Sequence, residues 1–299
     1  MSLLHQLRHA LSDPPPEFLL EISEAGVAVA RSSAPGQTSF YALEAGVLSV
    51  SPLRDNVAKP EELARAVATL APPNGKKRRA AALILPDFCT RLTVLDFDSF
   101  PNEAAEQLSL VRFRVKKSVP FDVDSAVISY AVQPAEPNSK RRDVVVVVAA
   151  LEIVAKYEAA LRAAALHPGL VTVSTLEALN LVPASGAVPV VFAKLTGRVL
   201  TVTALHHNIV RMVRCVELPD VSPNEIFSIL QPTIAFMEDE LEQRPERVLL
   251  AGFGEPDSNM RADWKTELGV EVEAVHSRFG IAGQNNAGLL GYMQSLKES

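Results

Sequence analysis

Two stretches of this chain, one starting at Phe18 and one at Val188, repeat the same order of patterns. Each has three short apolar strands separated by tight turns, followed by helices alternating with further strands. In the first, Phe18 to Ile22, Val27 to Ala30 and Ser39 to Leu43 read as a meander. In the second the strands are Val188 to Lys194, Arg198 to Leu205 and Ile209 to Glu217, with turns at Thr196-Gly197 and His206-His207-Asn208. A meander cannot close a core alone, because its apolar face must be covered by helices or by another sheet. The repeat therefore predicts a two-part α/β protein. At 299 residues, 48% hydrophobic and 21% charged, the chain is long and apolar enough to bury such a core.

Between the meanders, Glu61 to Leu70 places Leu63, Val67 and Leu70 on one helical face. The cationic run Lys76 to Arg79 after Pro72-Pro73-Asn74-Gly75 is expected to be a solvated loop. An apolar strand then ends at Leu85-Pro86-Asp87, and a second strand covers Arg91 to Phe97. Asn102 caps the next helix, with Glu103 and Glu106 at its positive end and Arg112, Arg114, Lys116 and Lys117 towards its negative end. Ala104, Leu108, Val111 and Val115 share its inward face, and Pro120 stops it. After the loop Pro134 to Asp143, five consecutive valines, Val144 to Val148, read as a strand covered on both faces. Glu152 to Leu166 is a helix with Ile153, Tyr157, Leu161 and Ala164 inward, ended by His167-Pro168-Gly169, and Thr175 to Leu181 is a further short helix. Pro183 to Gly186 is the expected hinge between halves.

Beyond the second meander, Ser222-Pro223-Asn224-Glu225 carries three agreeing helix-start signals: a capping Ser, Pro at the first helical position, and Glu three residues on. Pro232 should kink the helix that follows. Val248 to Ala251 is a strand, Ala262 to Leu268 a helix, Val270 to Val275 a strand and Asn286 to Leu296 the closing helix.

Several function classes are excluded. A net charge of −6 and a pI near 5.6 leave no basic footprint for nucleic acid. Cys89 and Cys215 are isolated and form neither a disulfide framework nor a CxxC site; Cys89 is expected to be a packing residue. No run of apolar residues is long enough to span a bilayer. Leu3, Leu4, Leu7 and Leu11 of the leader share a helical face, expected to pack on the body. His206-His207 has no Cys or carboxylate cluster beside it, Glu238 to Glu242 reads as a solvated acidic helix end, and no GxSxG occurs, so neither a metal site nor catalytic residues are expected.

The wording from Leu85-Pro86-Asp87 through the helix ending at Lys117 and Val119-Pro120-Phe121, then Val144 to Leu166 and Gly252 to Met293, resembles the PilM family of type IV pilus assembly proteins. These are actin-like and related to FtsA. The resemblance implies an α/β actin-like fold of the actin/hexokinase/heat-shock-70 superfold. It divides the chain into a leader (1–17), part of a first actin-like subdomain (18–84), an inserted FtsA/PilM-type small subdomain (85–172) and a second actin-like half (173–299). It also implies a cytoplasmic scaffold at the inner membrane that binds the N-terminal cytoplasmic tail of a PilN-like bitopic membrane protein. The expected groove is walled by Arg91, Val94, Phe97, Leu108 and Arg112.

An actin-like ATPase grips phosphates between two glycine-containing hairpins, each bringing an Asp to organise magnesium. In the first hairpin Glu21 replaces that Asp, Ser23 stands at a Gly position, and Glu24 adds charge where phosphate would lie. Two like charges ~4 Å apart cost about 4 kcal/mol at an effective dielectric near 20. In the second hairpin the acid is absent and Gly197 alone remains, serving the turn; Lys194 and Arg198, lone cations, are expected to face solvent. Gly252 and Gly254, split by Phe253, resemble the adenosine turn. The expectation is a degenerate site formed by Glu21, Ser23, Gly197, Gly252 and Gly254, with no ATP hydrolysis and no cofactor, ATP with magnesium being the alternative. An active actin-like ATPase or sugar kinase is the alternative. An FtsA-like membrane-docked filament is disfavoured because the chain stops at Lys297-Glu298-Ser299 without a further amphipathic helix.

Overall fold

The computed structural model describes residues 15–75, 79–119, 121–134, 141–183, 188–254 and 258–296. The leader helix, Lys76 to Arg78, Pro120, most of the 134–143 loop and of the 183–186 hinge, and the last three residues lie outside the described residues.

Two five-stranded sheets of identical topology form the frame. The first has the order β3-β2-β1-β4-β8 and the second β11-β10-β9-β12-β13. In the first, β1 (Phe18–Ser23), β2 (Gly26–Arg31) and β3 (Ala34–Ala42) form the antiparallel meander; β4 (Arg79–Leu85) and β8 (Leu166–Val173) extend it in parallel. In the second, β9 (Val190–Thr196), β10 (Val199–His206) and β11 (Ile209–Glu217) are the meander, and β12 (Arg247–Ala251) and β13 (Glu271–Ala274) the parallel additions. His207 and Asn208, both at positive φ, make the two-residue turn between β10 and β11. A small hairpin pairs β14 (His276–Ser277) with β15 (Gly280–Ile281).

Side chains alternate across each sheet and so divide the core. Phe18, Leu20 and Ile22 of β1 pack outward on α1 (Pro60–Leu70) and α3 (Leu151–Ala163), with Leu63, Val67, Tyr157 and Leu161. Val191, Ala193 and Leu195 of β9 likewise pack on α5 (Pro223–Leu241) and α6 (Ser258–Leu268), with Leu230, Met237 and Trp264. The opposite faces, carrying Leu19, Ile84, Phe192 and Leu249, share one central core with α7 (Ala287–Ser295). Short helix α4 (Ser174–Ala178) lies against α7 so closely that a Cβ on Gly291 would stand 2.0 Å from the Glu177 carbonyl oxygen.

A third sheet, β5-β7-β6, is inserted after β4 and consists of β5 (Arg91–Phe97), β6 (Ala126–Val132) and β7 (Arg142–Ala150). Val144, Val146 and Val148 of central strand β7 pack beneath helix α2 (Ala104–Val115), while Val145 and Val147 face the central core. The valine run is thus covered on both faces. The expected inserted unit, 85–172, also takes in α3 and β8, which pack on or pair within the first sheet.

Three local expectations differ from the structure. His167-Pro168-Gly169 does not stop the chain after α3; it runs within β8. Pro is accommodated because β8 is an edge strand and its register with β4 slips between Ala81 and Ala82. Helix α2 starts one residue later than its Asn102 cap implies, with Glu103 at the cap position and Ala104 exposed. Helix α5 contains Pro232 without a break in the helix, and its start is as expected: the Glu225 N–H donates to Ser222 Oγ. Arg79, at the end of the cationic run, is not solvated but 2% exposed. Its guanidinium donates to the carbonyls of Ala71, Pro72 and Ala164 and lies 4.9 Å from the Phe18 ring centroid.

Candidate functional site

A cleft of ≈ 280 Å³ opens where the two meanders face each other. The β1–β2 turn supplies Ser23, Glu24 and Ala25; the β9–β10 turn supplies Thr196, Gly197 and Arg198. Pro86 to Phe88 and Gln284-Asn285 line the rest. Alternation along the strands decides what lies buried beneath the cleft. Glu21 shares the inner face of β1 with Leu19, and Lys194 shares the inner face of β9 with Phe192. Thr201 is the cross-strand neighbour of Lys194.

Lys194 is 1% exposed, against the expectation that it faces solvent, because its strand is central and its neighbours on that face are core residues. Its ammonium donates to Asp87 Oδ2 at 2.9 Å and to Thr196 Oγ1 at 3.0 Å. Asp87, in the short 3-10 turn after β4, receives three more hydrogen bonds. The Thr175 N–H (2.8 Å) donates to Oδ1, and the Thr175 and Thr201 hydroxyls (2.6 and 2.9 Å) to Oδ2. Burial alone would push the Asp87 carboxyl up, but Lys194 and the Thr175 donors outweigh it and hold the carboxyl below its ordinary range.

Glu21 is buried and turned away from the cleft. It accepts from Ser174 Oγ and from the Gly288 and Leu289 amides at 3.3 and 2.8 Å. Those amides belong to the first turn of α7, so the carboxylate caps the positive end of that helix. Burial nevertheless raises its pKa, with Lys194 and the Ser174 and Leu289 bonds opposing the rise. The longer arm of Glu relative to Asp reaches the first turn of α7.

The other expected residues divide. Ser23 and Gly197 line the cleft; the Ser23 hydroxyl lies 2.9 Å from Asn285 Oδ1. Gly252 has φ 82°, and a Cβ there would lie 2.0 Å from the Leu195 carbonyl oxygen, so its lack of a side chain serves contact between β12 and β9. Gly254 faces open space. Arg198 is exposed as expected, yet its guanidinium donates to the Leu218 and Pro219 carbonyls. Glu24 and Glu217 line the cleft, while Arg198, which also lines it, and Lys194, buried beneath it, are already engaged. This set of groups does not suit a triphosphate with its metal. Among the described residues no group of three His, Cys, Asp or Glu side chains forms a metal site.

The expected groove residues are not brought to one surface. Val94 packs with Val213 against the central core; Phe97 is buried on the opposite face of the same sheet, beneath α2. Arg91 is exposed, and Leu108 and Arg112 are half-buried, Arg112 donating to the Val123 carbonyl. The inserted sheet is fixed to the second half by Gln133, whose side-chain amide exchanges two 2.7 Å hydrogen bonds with the backbone of Val210. Arg211 adds a 2.6 Å bridge to Asp143. Among the described residues no strand pairs with the outer edge of β6, and Val127 and Val132 are 42% exposed.

The sequence motif Leu-Pro-Asp marked Asp87 without a role, and Thr175 and Thr201 gave no signal. Lys194 was identifiable from its parity with Val190 and Phe192. Cys89 is a buried packing residue whose thiol is pushed up by burial, as expected.

No protein-family model matches the chain, and no curated protein matches it in sequence. Solved structures do match. A structure described as the PilM-PilN type IV pilus biogenesis complex superposes with a TM-score of 0.75 at 19% identity, over 94% of this chain and 99% of that one. A Bacteroides thetaiotaomicron protein with an actin-like ATPase fold and unknown function gives a TM-score of 0.55 at 10% identity, over 93% and 96% of the two chains. The fold is therefore actin-like, and the chain is similar to a PilM structure along nearly its whole length.

Proposed function

We propose that this protein is an assembly scaffold of a type IV pilus or related secretion system, working at the inner face of the inner membrane without hydrolysing ATP. Its partner is the N-terminal cytoplasmic tail of a PilN-like bitopic membrane protein. The likeness to the PilM–PilN structure over 94% of the chain supports the assembly role. The observation that carries the non-hydrolytic reading is the Lys194–Asp87 pair, in which the carboxylate that lines the cleft is already held by a buried cation of the chain. In this reading the partner supplies the membrane attachment. The inserted sheet offers the docking surface: its free β6 edge can accept an extended peptide through backbone hydrogen bonds, with Val127 and Val132 as apolar contacts.

Calorimetric titration with a synthetic tail of the PilN-like protein of the same organism tests the partner. Micromolar binding weakened tenfold or more by Val127→Asp, on the order of 1.4 kcal/mol, is expected; silence at high peptide concentration rejects the assignment. Phosphate release and melting with Mg-ATP test the rest. A nucleotide at a hundred times its Kd would add about 2.7 kcal/mol of stability, and the expected shift is nil.

A further inference from the structure

Beneath the floor of the cleft, the Lys194 ammonium sits within hydrogen-bonding reach of Asp87 Oδ2 and Thr196 Oγ1, and the hydroxyls of Thr175 and Thr201 donate to the same carboxylate. A carboxylate and three threonine hydroxyls are hard oxygen groups of the kind that elsewhere surround a metal ion bound to phosphate. Here the positive charge belongs to the chain itself. Asp87 follows β4 of the first sheet, whereas Lys194, Thr196 and Thr201 belong to the second.

We propose that Lys194 is a resident cation that replaces a metal–nucleotide complex as the link between the two halves, holding the cleft in one arrangement whether or not nucleotide is present. The inference rests on the non-hydrolytic reading above and extends it from chemistry to motion. Both partners are almost dry, so salt screens their attraction little, and separating the halves means parting two opposite charges in a low-dielectric setting. A second tie lies where the inserted sheet meets β11, through Asp143–Arg211 and the Gln133–Val210 amide pair, so opening the cleft must strain both.

Distance measurement by double electron–electron resonance tests this on the full chain, with spin labels at Glu24→Cys and Glu217→Cys on opposite lips of the cleft. Cys89 is buried, and half-buried Cys215 is removed by Cys215→Ala in the labelled background, so labelling falls on the introduced sites. With Lys194 intact, one narrow distance is expected, unchanged by Mg-ATP. Lys194→Met should broaden it, and Asp87→Asn combined with Lys194→Met should do the same; the double variant carries the test if the single one does not fold. A narrow, unshifted distance in the double variant overturns the proposal, as does a Mg-ATP-dependent shift with Lys194 intact. Failure of the tail peptide to bind counts against the assembly role alone, since no partner enters the distance measurement.

Discussion

Lys194 and Asp87 are 107 residues apart in sequence and 2.9 Å apart in space, and they join the two halves of a duplicated fold. A buried ion pair of this kind is weak evidence for net stability, because desolvation offsets much of the attraction. Losing one partner is another matter.

Lys194→Met leaves the Asp87 carboxylate buried with no cation, which costs about 3–5 kcal/mol in comparable buried pairs. Chemical denaturation should show this loss, and Asp87→Leu with Lys194→Met should recover a large part of it. Equal stabilities of the single variant and the parent protein would mean that the pair is not formed in solution.

The two buried carboxylates predict opposite pH limbs. Asp87 is held below 3.8, so its contribution is fully present above that value and is lost as pH falls through the depressed folded value. Glu21 is raised above 4.5, so the stability its neutral form confers is present below 4.5 and is lost as pH rises through the raised value. Urea midpoints between about pH 3 and 7 should show a flatter acid limb in Asp87→Asn and a smaller loss on the rising side in Glu21→Gln. Parallel curves for both variants and the parent would contradict these assignments.

Arg79 binds the cap residues of two helices, Ala71 after α1 and Ala164 after α3, through one guanidinium. Charged hydrogen bonds are worth about 1.5–3 kcal/mol each, and Arg79→Met strands the carbonyls as well. A loss of roughly 3 kcal/mol or more is expected in thermal or urea unfolding, with Arg79→Lys recovering only part, since one ammonium cannot reproduce the planar fork. A loss under about 1 kcal/mol would place Arg79 in water, as its neighbours in the cationic run suggest.

Gly252→Ala separates a packing role from a nucleotide role. A Cβ 2.0 Å from the Leu195 carbonyl, at φ 82°, requires backbone movement, so destabilisation of at least about 2 kcal/mol is expected with no nucleotide in the buffer. Unchanged stability would return Gly252 to the list of candidate ligand contacts.

The sequence made the duplicated meanders and the valine strand legible because period-2 burial is a local property. It concealed what depends on distant partners. Glu21 was readable as an acid in a hairpin, but its bond to the Leu289 amide spans 268 residues. Arg79 looked like one more surface cation, and nothing in the run distinguishes it from its neighbours; what buries it is the meeting of two helix ends. Strand β8 was hidden by Pro168, whose missing N–H matters less on an edge strand. The expected groove gathered residues by nearness in sequence, yet Val94 and Phe97, three positions apart, lie on opposite faces of their strand.

The cap that Glu21 places on α7 has a consequence for biosynthesis. A ribosome delivers β1 among the first segments of the chain, but the amides that satisfy its buried acid arrive with residues 288 and 289. Until then the first sheet carries a carboxylate with no helix to receive it. The hydrogen bonding of the first sheet is therefore completed only by amides 267 and 268 residues downstream of Glu21.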